Sequence, residues 1–104
     1  MTSQAKLQHA LCNSMHDLLY SDKNPLQRRI ATSPAIMTKD SDQPCIVYVE
    51  YHEEVRTGFL YRELRLFVTG SMIPQDVLRV GEGALKLALA YKMIGKFLSQ
   101  MEIL

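Results

Sequence analysis

Three side chains near the start of the chain have the types and the spacing of a metal site. His9, Cys12 and His16 follow one another at intervals of three and four residues, so on a helix they would share one side. Imidazole and thiolate groups are the ligands that zinc prefers. The two histidines would lie about 10.5 Å apart along the helix axis, too far to share one ion, and the only other residues of these types are His52 and Cys45. We therefore predict no metal site and no cofactor.

A cysteine hydrolase is the catalytic alternative that the same residues allow. A reactive thiol needs an electropositive and partly exposed environment. Cys12 instead borders an apolar stripe and Cys45 begins a β-rich run, which favours two small core residues. The chain contains no GxSxG, Walker A or HExxH pattern. We predict that the protein is not an enzyme, with a small enzyme of unknown class as an alternative.

A short basic segment precedes two hydroxyl side chains. Arg28 and Arg29 are followed by Thr32, and Ser33 precedes Pro34, so each hydroxyl lies in a pattern that kinases recognise. Phosphate at either position would add negative charge beside the two arginines and order the segment. Thr32 and Ser33 are therefore candidate modification sites, and a solvated loop is the alternative.

Composition limits the class of protein that can position these residues. The chain has 104 residues and a mass of 11.9 kDa, which predicts one domain, residues 1–104. Twelve basic against eleven acidic residues give a net charge of +1, which does not favour nucleic acid as a partner. Charged residues interrupt every long apolar run, so we expect neither a signal peptide nor a membrane span. Two cysteines without a disulfide framework then predict a cytoplasmic or nuclear protein.

Hydrophobic periodicity predicts a helix towards each end of the chain. Apolar residues recur at helical spacing over residues 3–20. Residues 21–44 contain three prolines and form an irregular connection, in which we expect a short edge strand around residues 30–37. From residue 75 to about residue 101 the pattern is again helical, with two glycines weakening its start.

The clearest segment is a β-hairpin over residues 45–69. Two β-rich runs flank the sequence Arg56-Thr57-Gly58, and glycine can take the positive φ that a tight turn needs. Alternation assigns one face the apolar residues Val47, Val49, Tyr51, Leu60, Leu64, Leu66 and Val68. The opposite face receives Tyr48, Glu50, His52, Phe59, Tyr61, Glu63, Arg65 and Phe67. The predicted fold is α+β, with two main helices packed on an antiparallel sheet built around this hairpin.

Aromatic residues on the polar face of the hairpin predict a contact surface. Tyr48, Phe59, Tyr61 and Phe67, together with Arg65, are of types enriched in protein interfaces. Aromatics on a sheet can also stack on nucleic-acid bases, but the charges assigned to this face are mainly acidic and disfavour phosphate. The alternative is that residues 21–44 fold over this face within the same chain.

The last predicted helix has apolar residues on two sides. One arc is wide enough to cover the sheet. Leu78, Leu85, Leu89 and Met93 form a second stripe on roughly the opposite side. A homodimer that packs this stripe against its symmetry mate is one prediction, and coverage by the first helix within one chain is the alternative.

The order helix, strands, helix resembles double-stranded RNA-binding domains. About half of the chain carries the resemblance: residues 46–50, residues 67–70, and Gly81-Glu82-Gly83 before a helix rich in Ala, Leu and Lys. The lysine cluster with which that family holds phosphate is matched only by Lys86. The resemblance implies RNA binding, which is the alternative to the function predicted first. That function is a non-enzymatic protein–protein interaction module, acting as a homodimer, an adaptor or a chaperone-like accessory protein.

Overall fold

The chain folds into a helix, a four-stranded antiparallel sheet and a second helix. The computed structural model describes residues 4–19, 27–80 and 87–104. Its elements are α1 (Gln4–Leu19), β1 (Gln27–Thr32), β2 (Val47–Arg56), β3 (Phe59–Val68), β4 (Asp76–Val80) and α2 (Leu87–Gln100). The strand order is β1-β2-β3-β4, so each strand pairs with the next one along the chain. The predicted fold class, one small α+β domain, is confirmed.

The strand that precedes the hairpin begins earlier than the sequence predicts. We expected it around residues 30–37, whereas β1 pairs with β2 through Gln27–Thr32. After Pro34 the backbone forms an isolated bridge between Ile36 and Cys45. The strand is at the edge of the sheet, as expected of a segment that runs into proline. Residues 20–26 of the predicted connection lie outside the described residues.

The last helix begins later than predicted, because part of its expected length forms a strand. We expected a helix from residue 75 to about residue 101, but Asp76–Val80 pairs with β3 and α2 is Leu87–Gln100. Val77 and Val80 fit a helical spacing, and a window of five residues cannot separate helical from extended periods. Pairing with β3 stabilises the extended form of residues 76–80, because it satisfies backbone N–H and C=O groups that would otherwise lack hydrogen-bond partners.

The hydrophobic core lies between the two helices and one face of the sheet, which we call the inner face. Its members are each less than a tenth exposed: Leu7, Leu11, Met15, Ile30, Ala31, Ile36, Val47, Val49, Tyr51, Leu64, Leu66, Ala90, Met93, Ile94 and Leu98. Full burial of a large apolar side chain stabilises a fold by roughly 1.5–3 kcal/mol. Both helices are therefore held on the inner face. Neither of the described helices is long and apolar enough to cross a membrane.

A two-residue turn fixes the register of the hairpin. Arg56 pairs with Phe59, which leaves Thr57 and Gly58 as the loop, with φ values of 47° and 84°. Two consecutive positive φ angles are typical of a type I′ turn, whose twist matches that of the strands. A shift of one residue would exchange the two faces, so this turn determines which side chains lie opposite the helices.

The two helices contact each other where α2 has a glycine. A Cβ atom at Gly95 would overlap the side-chain amide of Gln8, so glycine leaves room for that side chain. Nε2 of Gln8 donates a hydrogen bond to the carbonyl oxygen of Tyr91 at 2.7 Å. The ring of His9 lies 5.3 Å from the ring of Tyr91. These contacts join α1 to α2.

Candidate interaction surface

The face of the sheet opposite the helices, which we call the outer face, carries the candidate site. The strand register assigns to it Arg29 and Thr32 of β1; Tyr48, Glu50, His52, Glu54 and Arg56 of β2; Phe59, Tyr61, Glu63, Arg65 and Phe67 of β3; and Val77 and Arg79 of β4. The hairpin residues lie on the faces that alternation predicts. A bulge between Arg29 and Ala31 puts Arg29 and Thr32 on one face despite their odd separation.

The described part of the connection before the hairpin runs beside the core, away from the outer face. Ile36 is buried in the core and bridges to Cys45. Thr38 bridges to Ile103, and the N–H of Leu104 donates to the carbonyl oxygen of Met37 at 3.0 Å. The described residues after β1 thus pack with the C-terminus on the helix side. The stacking, cation–π and ion-pair contacts of the outer-face side chains join them to one another.

Tyr48 lies in a row of side chains that crosses three strands. Tyr48 and Phe67 are directly opposed on β2 and β3, and their rings stack with centroids 5.2 Å apart and planes 12° apart. The guanidinium carbon of Arg29 lies 3.8 Å from the centroid of the Tyr48 ring. Since β1 and β3 flank β2, the arginine and the phenylalanine approach Tyr48 from opposite sides. Both faces of this tyrosine ring are therefore in contact.

Tyr61 is enclosed in a similar way by two arginines. The guanidinium carbons of Arg56 and Arg79 lie 4.3 Å and 4.7 Å from the centroid of its ring. Arg56 comes from β2 and Arg79 from β4, the two strands that flank β3. A cation–π contact at an exposed site stabilises by about 0.5–1 kcal/mol. The arginines are thereby held in position before any partner arrives.

Four titratable side chains, which we call the charged centre, fill the middle of the outer face: Glu50, His52, Glu63 and Arg65. Nε2 of His52 lies 2.9 Å from Oε1 of Glu50, on the same strand. Nε of Arg65 donates to Oε1 of Glu63 at 2.6 Å, and the hydroxyl of Tyr61 donates to Oε2 at 3.1 Å. Glu63 is only 6% exposed. Every carboxylate of the charged centre is therefore already bonded within the face.

Glu63 is a buried carboxylate that favours its ionised form. Burial by itself raises the pKa of this carboxyl. Hydrogen bonds from Arg65 and Tyr61, together with the positive charge of Arg65, lower the pKa by more than burial raises it, so the net pKa is below the ordinary value of 4.5. The charge of Arg65 is correspondingly neutralised by Glu63. We regard this pair as support for the surface and not as a group that a partner would contact.

The five hairpin residues predicted for the contact surface differ in accessibility. Phe59 is 69% exposed, whereas Phe67 is 9% exposed beneath its neighbours. Tyr48, Tyr61 and Arg65 are half-buried. Phe59 and the free edges of the two tyrosines are therefore the parts of this set that a partner could touch.

Sequence analysis missed three arginines of the outer face. Arg79 fell in a segment predicted to be helical, Arg29 in one predicted to be irregular, and Arg56 was assigned to the turn. With Arg65 they make four arginines against three glutamates, so the face carries a small positive excess in place of the acidic balance expected from the hairpin alone. In β4 the exposed residues Val77 and Arg79 alternate with half-buried neighbours, but this alternation is visible only in the structure, because the five residues also fit a helical spacing.

The second predicted surface, the apolar stripe of the last helix, is wrong as a continuous stripe. Leu78 lies on β4 and packs against the core, and Met93 is a core residue with 7% exposure. Leu89 is exposed on α2, at 45%. Leu85 lies outside the described residues. The stripe required a helix that reached back to residue 78, and the pairing of β4 with β3 removes it.

The two candidate modification sites differ in access. Thr32 is exposed at the edge of the outer face. Ser33 is 6% exposed, and its Oγ accepts a hydrogen bond from the N–H of Val47 at 2.9 Å and donates to the carbonyl of Pro34 at 2.8 Å. Of the two hydroxyls, Thr32 is the one that an enzyme could reach without opening the sheet.

The histidines and cysteines considered for chemistry have structural surroundings. Cys12 and Cys45 pack against the core, and burial raises the pKa of both thiols, so they stay protonated near neutral pH. His9 contacts Tyr91, and the side chain of His16 lies outside the described residues. Within the described ranges, no three His, Cys, Asp or Glu side chains come together as a metal site would require. No protein family model, curated protein or solved structure matches the chain.

Proposed function

We propose that the protein is a non-enzymatic interaction module that binds another protein through the outer face of its sheet. The observation that carries the proposal is the pair Tyr48 and Tyr61, each held between side chains of neighbouring strands on the face opposite both helices. Tyrosine and arginine contribute much of the binding energy in protein interfaces. Side chains that are already held lose little entropy when a partner binds. An adaptor or chaperone-like accessory role fits such a surface.

RNA binding, the alternative function, is less well supported by the same face. Single-stranded nucleic acid binds to sheets by stacking bases on open aromatic rings. Here Tyr48 lies between Arg29 and Phe67, and Tyr61 lies between two arginines. A base would have to displace one of these side chains. A phosphate backbone would also approach the glutamates interspersed among the arginines, whereas a protein can present both signs of charge.

Quantitative co-purification from the cells that make the protein tests the proposal. The outer-face variant is Phe59→Ser with Tyr61→Ala. The matched control is Leu89→Ser with Lys92→Ala, which truncates two exposed side chains, one of them apolar, on α2. Cooperative unfolding of all three chains shows that each one is folded. We expect at least one protein to be recovered with the wild type and the control and to be lost with the outer-face variant.

Three results would contradict the proposed function. The first is equal recovery of every associated protein with the wild type and both variants. The second is recovery of no protein other than the chain itself, which would mean that no different protein binds it. The third is association with RNA in place of protein, which would favour the alternative.

A further inference from the structure

We infer that the partner presents carboxylates to two arginines of the outer face, Arg29 and Arg79; this inference rests on the proposed function. Both side chains are exposed, and they lie on β1 and β4, the two edges of the sheet. The other two arginines of this face pair with glutamates on their own strands: Arg56 with Glu54, and Arg65 with Glu63. Arg29 and Arg79 thus hold the positive charge that the face leaves for a partner.

The strand register explains why these two arginines remain available. Arg29 lies opposite Glu50, and Arg79 lies opposite Glu63. Both glutamates are bonded within the charged centre, one to His52 and the other to Arg65. Within the described ranges neither Arg29 nor Arg79 forms an ion pair with a carboxylate. The two glutamates that could neutralise these arginines are already bonded to His52 and Arg65.

Tyrosine rings hold the two guanidinium groups where a partner can meet them. Arg29 lies over Tyr48 and Arg79 over Tyr61, at 3.8 Å and 4.7 Å from the ring centroids. Contact through the flat face of a guanidinium leaves its N–H groups in the plane to donate hydrogen bonds. Those groups match the two oxygens of a carboxylate in a bidentate pair. Each arginine is therefore a positioned donor for an acidic side chain.

The positions of the two arginines constrain the acidic partner. Their guanidinium groups lie over Tyr48 and Tyr61, and Tyr61 is paired with Glu54, six residues from Tyr48 along β2, so about 20 Å separates the two groups along the strand direction at the usual rise per residue. A partner that engages both must place two carboxylates about that far apart. In an extended segment running along the strands, this corresponds to side chains about six residues apart.

Charge complementarity favours an acidic protein over a second copy of the chain or RNA. The outer face of a second copy offers Glu50, Glu54 and Glu63, each of which is already bonded to a neighbour on its own strand. RNA carries a charge at every nucleotide, so its backbone would meet the glutamates that lie between the two arginines. A protein can place single carboxylates at the edges of the sheet and neutral or basic groups at its centre.

Fluorescence anisotropy with labelled poly-L-glutamate as the probe tests this inference. The variants are Arg29→Gln with Arg79→Gln, and the matched control is Lys92→Gln with Lys96→Gln, which removes the same charge from exposed positions of α2. We expect the arginine variant to bind the probe at least about tenfold more weakly than the wild type, the loss typical of a charge-assisted hydrogen bond. The lysine variant should bind within about twofold of the wild type, and high salt should weaken binding of all chains. Arg29→Lys with Arg79→Lys keeps the charge and should still lose affinity, because lysine lacks the planar fork.

Several outcomes would overturn the inference. The first two are no binding of poly-L-glutamate by the wild type, and equal losses of affinity when glutamine replaces the two arginines or the two lysines. The other two are full affinity after both arginines are replaced by lysine, and tighter binding of a duplex RNA than of poly-L-glutamate. The co-purification experiment separates this failure from that of the proposed function. If a partner is lost with the Phe59 and Tyr61 variant but retained by the Arg29 and Arg79 variant, the proposed function stands. The inference that the partner presents carboxylates to these arginines is then wrong.

Discussion

At the scale of single residues, Glu63 links the supporting and the accessible parts of the outer face. Its carboxylate accepts hydrogen bonds from Arg65 and Tyr61, and Tyr61 in turn lies between Arg56 and Arg79. A buried carboxylate without such partners would be destabilising. The position of Tyr61, which we place in the interface, therefore depends on a residue that the partner does not touch.

The free energy of unfolding should depend on pH through Glu63. Because the pKa of this carboxyl is lower in the folded than in the unfolded chain, its contribution is fully present above the ordinary value of 4.5 and is lost as pH falls through the folded value. Glu63→Gln should cost about 1–3 kcal/mol at pH 7, since charged hydrogen bonds are replaced by neutral ones. Urea unfolding at pH 7 and pH 3 measures both effects.

The matched control for that measurement is Glu54→Gln. Glu54 forms an exposed ion pair with Arg56 on the same outer face, and exposed pairs contribute little to stability. We expect Glu63→Gln to show a smaller loss of stability between pH 7 and pH 3 than either the wild type or Glu54→Gln. An unchanged pH dependence in Glu63→Gln would refute the role assigned to this carboxylate.

At the scale of elements, the hairpin turn contains a residue that fits its backbone poorly. Thr57 has a φ of 47°, a conformation that β-branched side chains rarely adopt and that asparagine tolerates. Thr57→Asn would give the Asn-Gly sequence preferred in type I′ turns and should raise the free energy of unfolding by about 0.5–1 kcal/mol. Thermal or urea denaturation measures the change. Thr57→Val, which keeps the β-branch, is the control, and an equal gain in both variants would contradict the explanation.

The contact between the helices predicts coupling between Gly95 and Gln8. Alanine at position 95 favours the helix by about 1 kcal/mol, but its Cβ would displace the Gln8 amide that bonds to Tyr91. Gly95→Ala should therefore give little or no net stabilisation in the wild type. In a Gln8→Ala background the same substitution should raise stability by about 1 kcal/mol. A double-mutant cycle measured by urea unfolding tests this, and additive effects would show that the amide does not restrict position 95.

The elements also show how far sequence analysis could go. The hairpin was predictable because ten-residue alternating runs flank a turn with glycine, and its two faces follow from period two. Strand β4 was not predictable from the sequence. Its five residues, with Val77 and Val80, fit a helix equally well, and only the pairing with β3 favours a strand. The same ambiguity hid Arg79. Arg29 was missed because β1 depends on pairing with β2 and on a bulge, neither of which local pattern reveals.

At the scale of the whole molecule, the two sides of the sheet have different roles. The inner face and both helices enclose the apolar core, while the outer face carries paired charges and enclosed tyrosines. The hairpin extends beyond its neighbours, since β1 pairs with residues 48–52 and β4 with residues 62–66. Phe59 and Val55, near the tip of this extension, are 69% and 73% exposed. A partner could reach the outer face without disturbing the core.

The purified chain should sediment as a monomer if its partner is a different protein. Two residues of the helical stripe that predicted a homodimer are placed elsewhere, since Leu78 lies in the sheet and Met93 lies in the core. Sedimentation equilibrium at micromolar concentrations should give a mass near 11.9 kDa. A concentration-dependent mass approaching twice that value would indicate that a second copy occupies one of the exposed surfaces.

Site-specific photo-crosslinking tests most directly whether the outer face is the binding surface. Benzoylphenylalanine would replace Phe59 on the outer face or, as the control, Leu89 on α2, since both positions are exposed. After irradiation in the cells that make the protein, we expect the chain labelled at position 59 to form an adduct with another protein. The chain labelled at position 89 should not form that adduct. The same adduct from both positions, or one from position 89 alone, would contradict the assignment of the outer face as the site of binding.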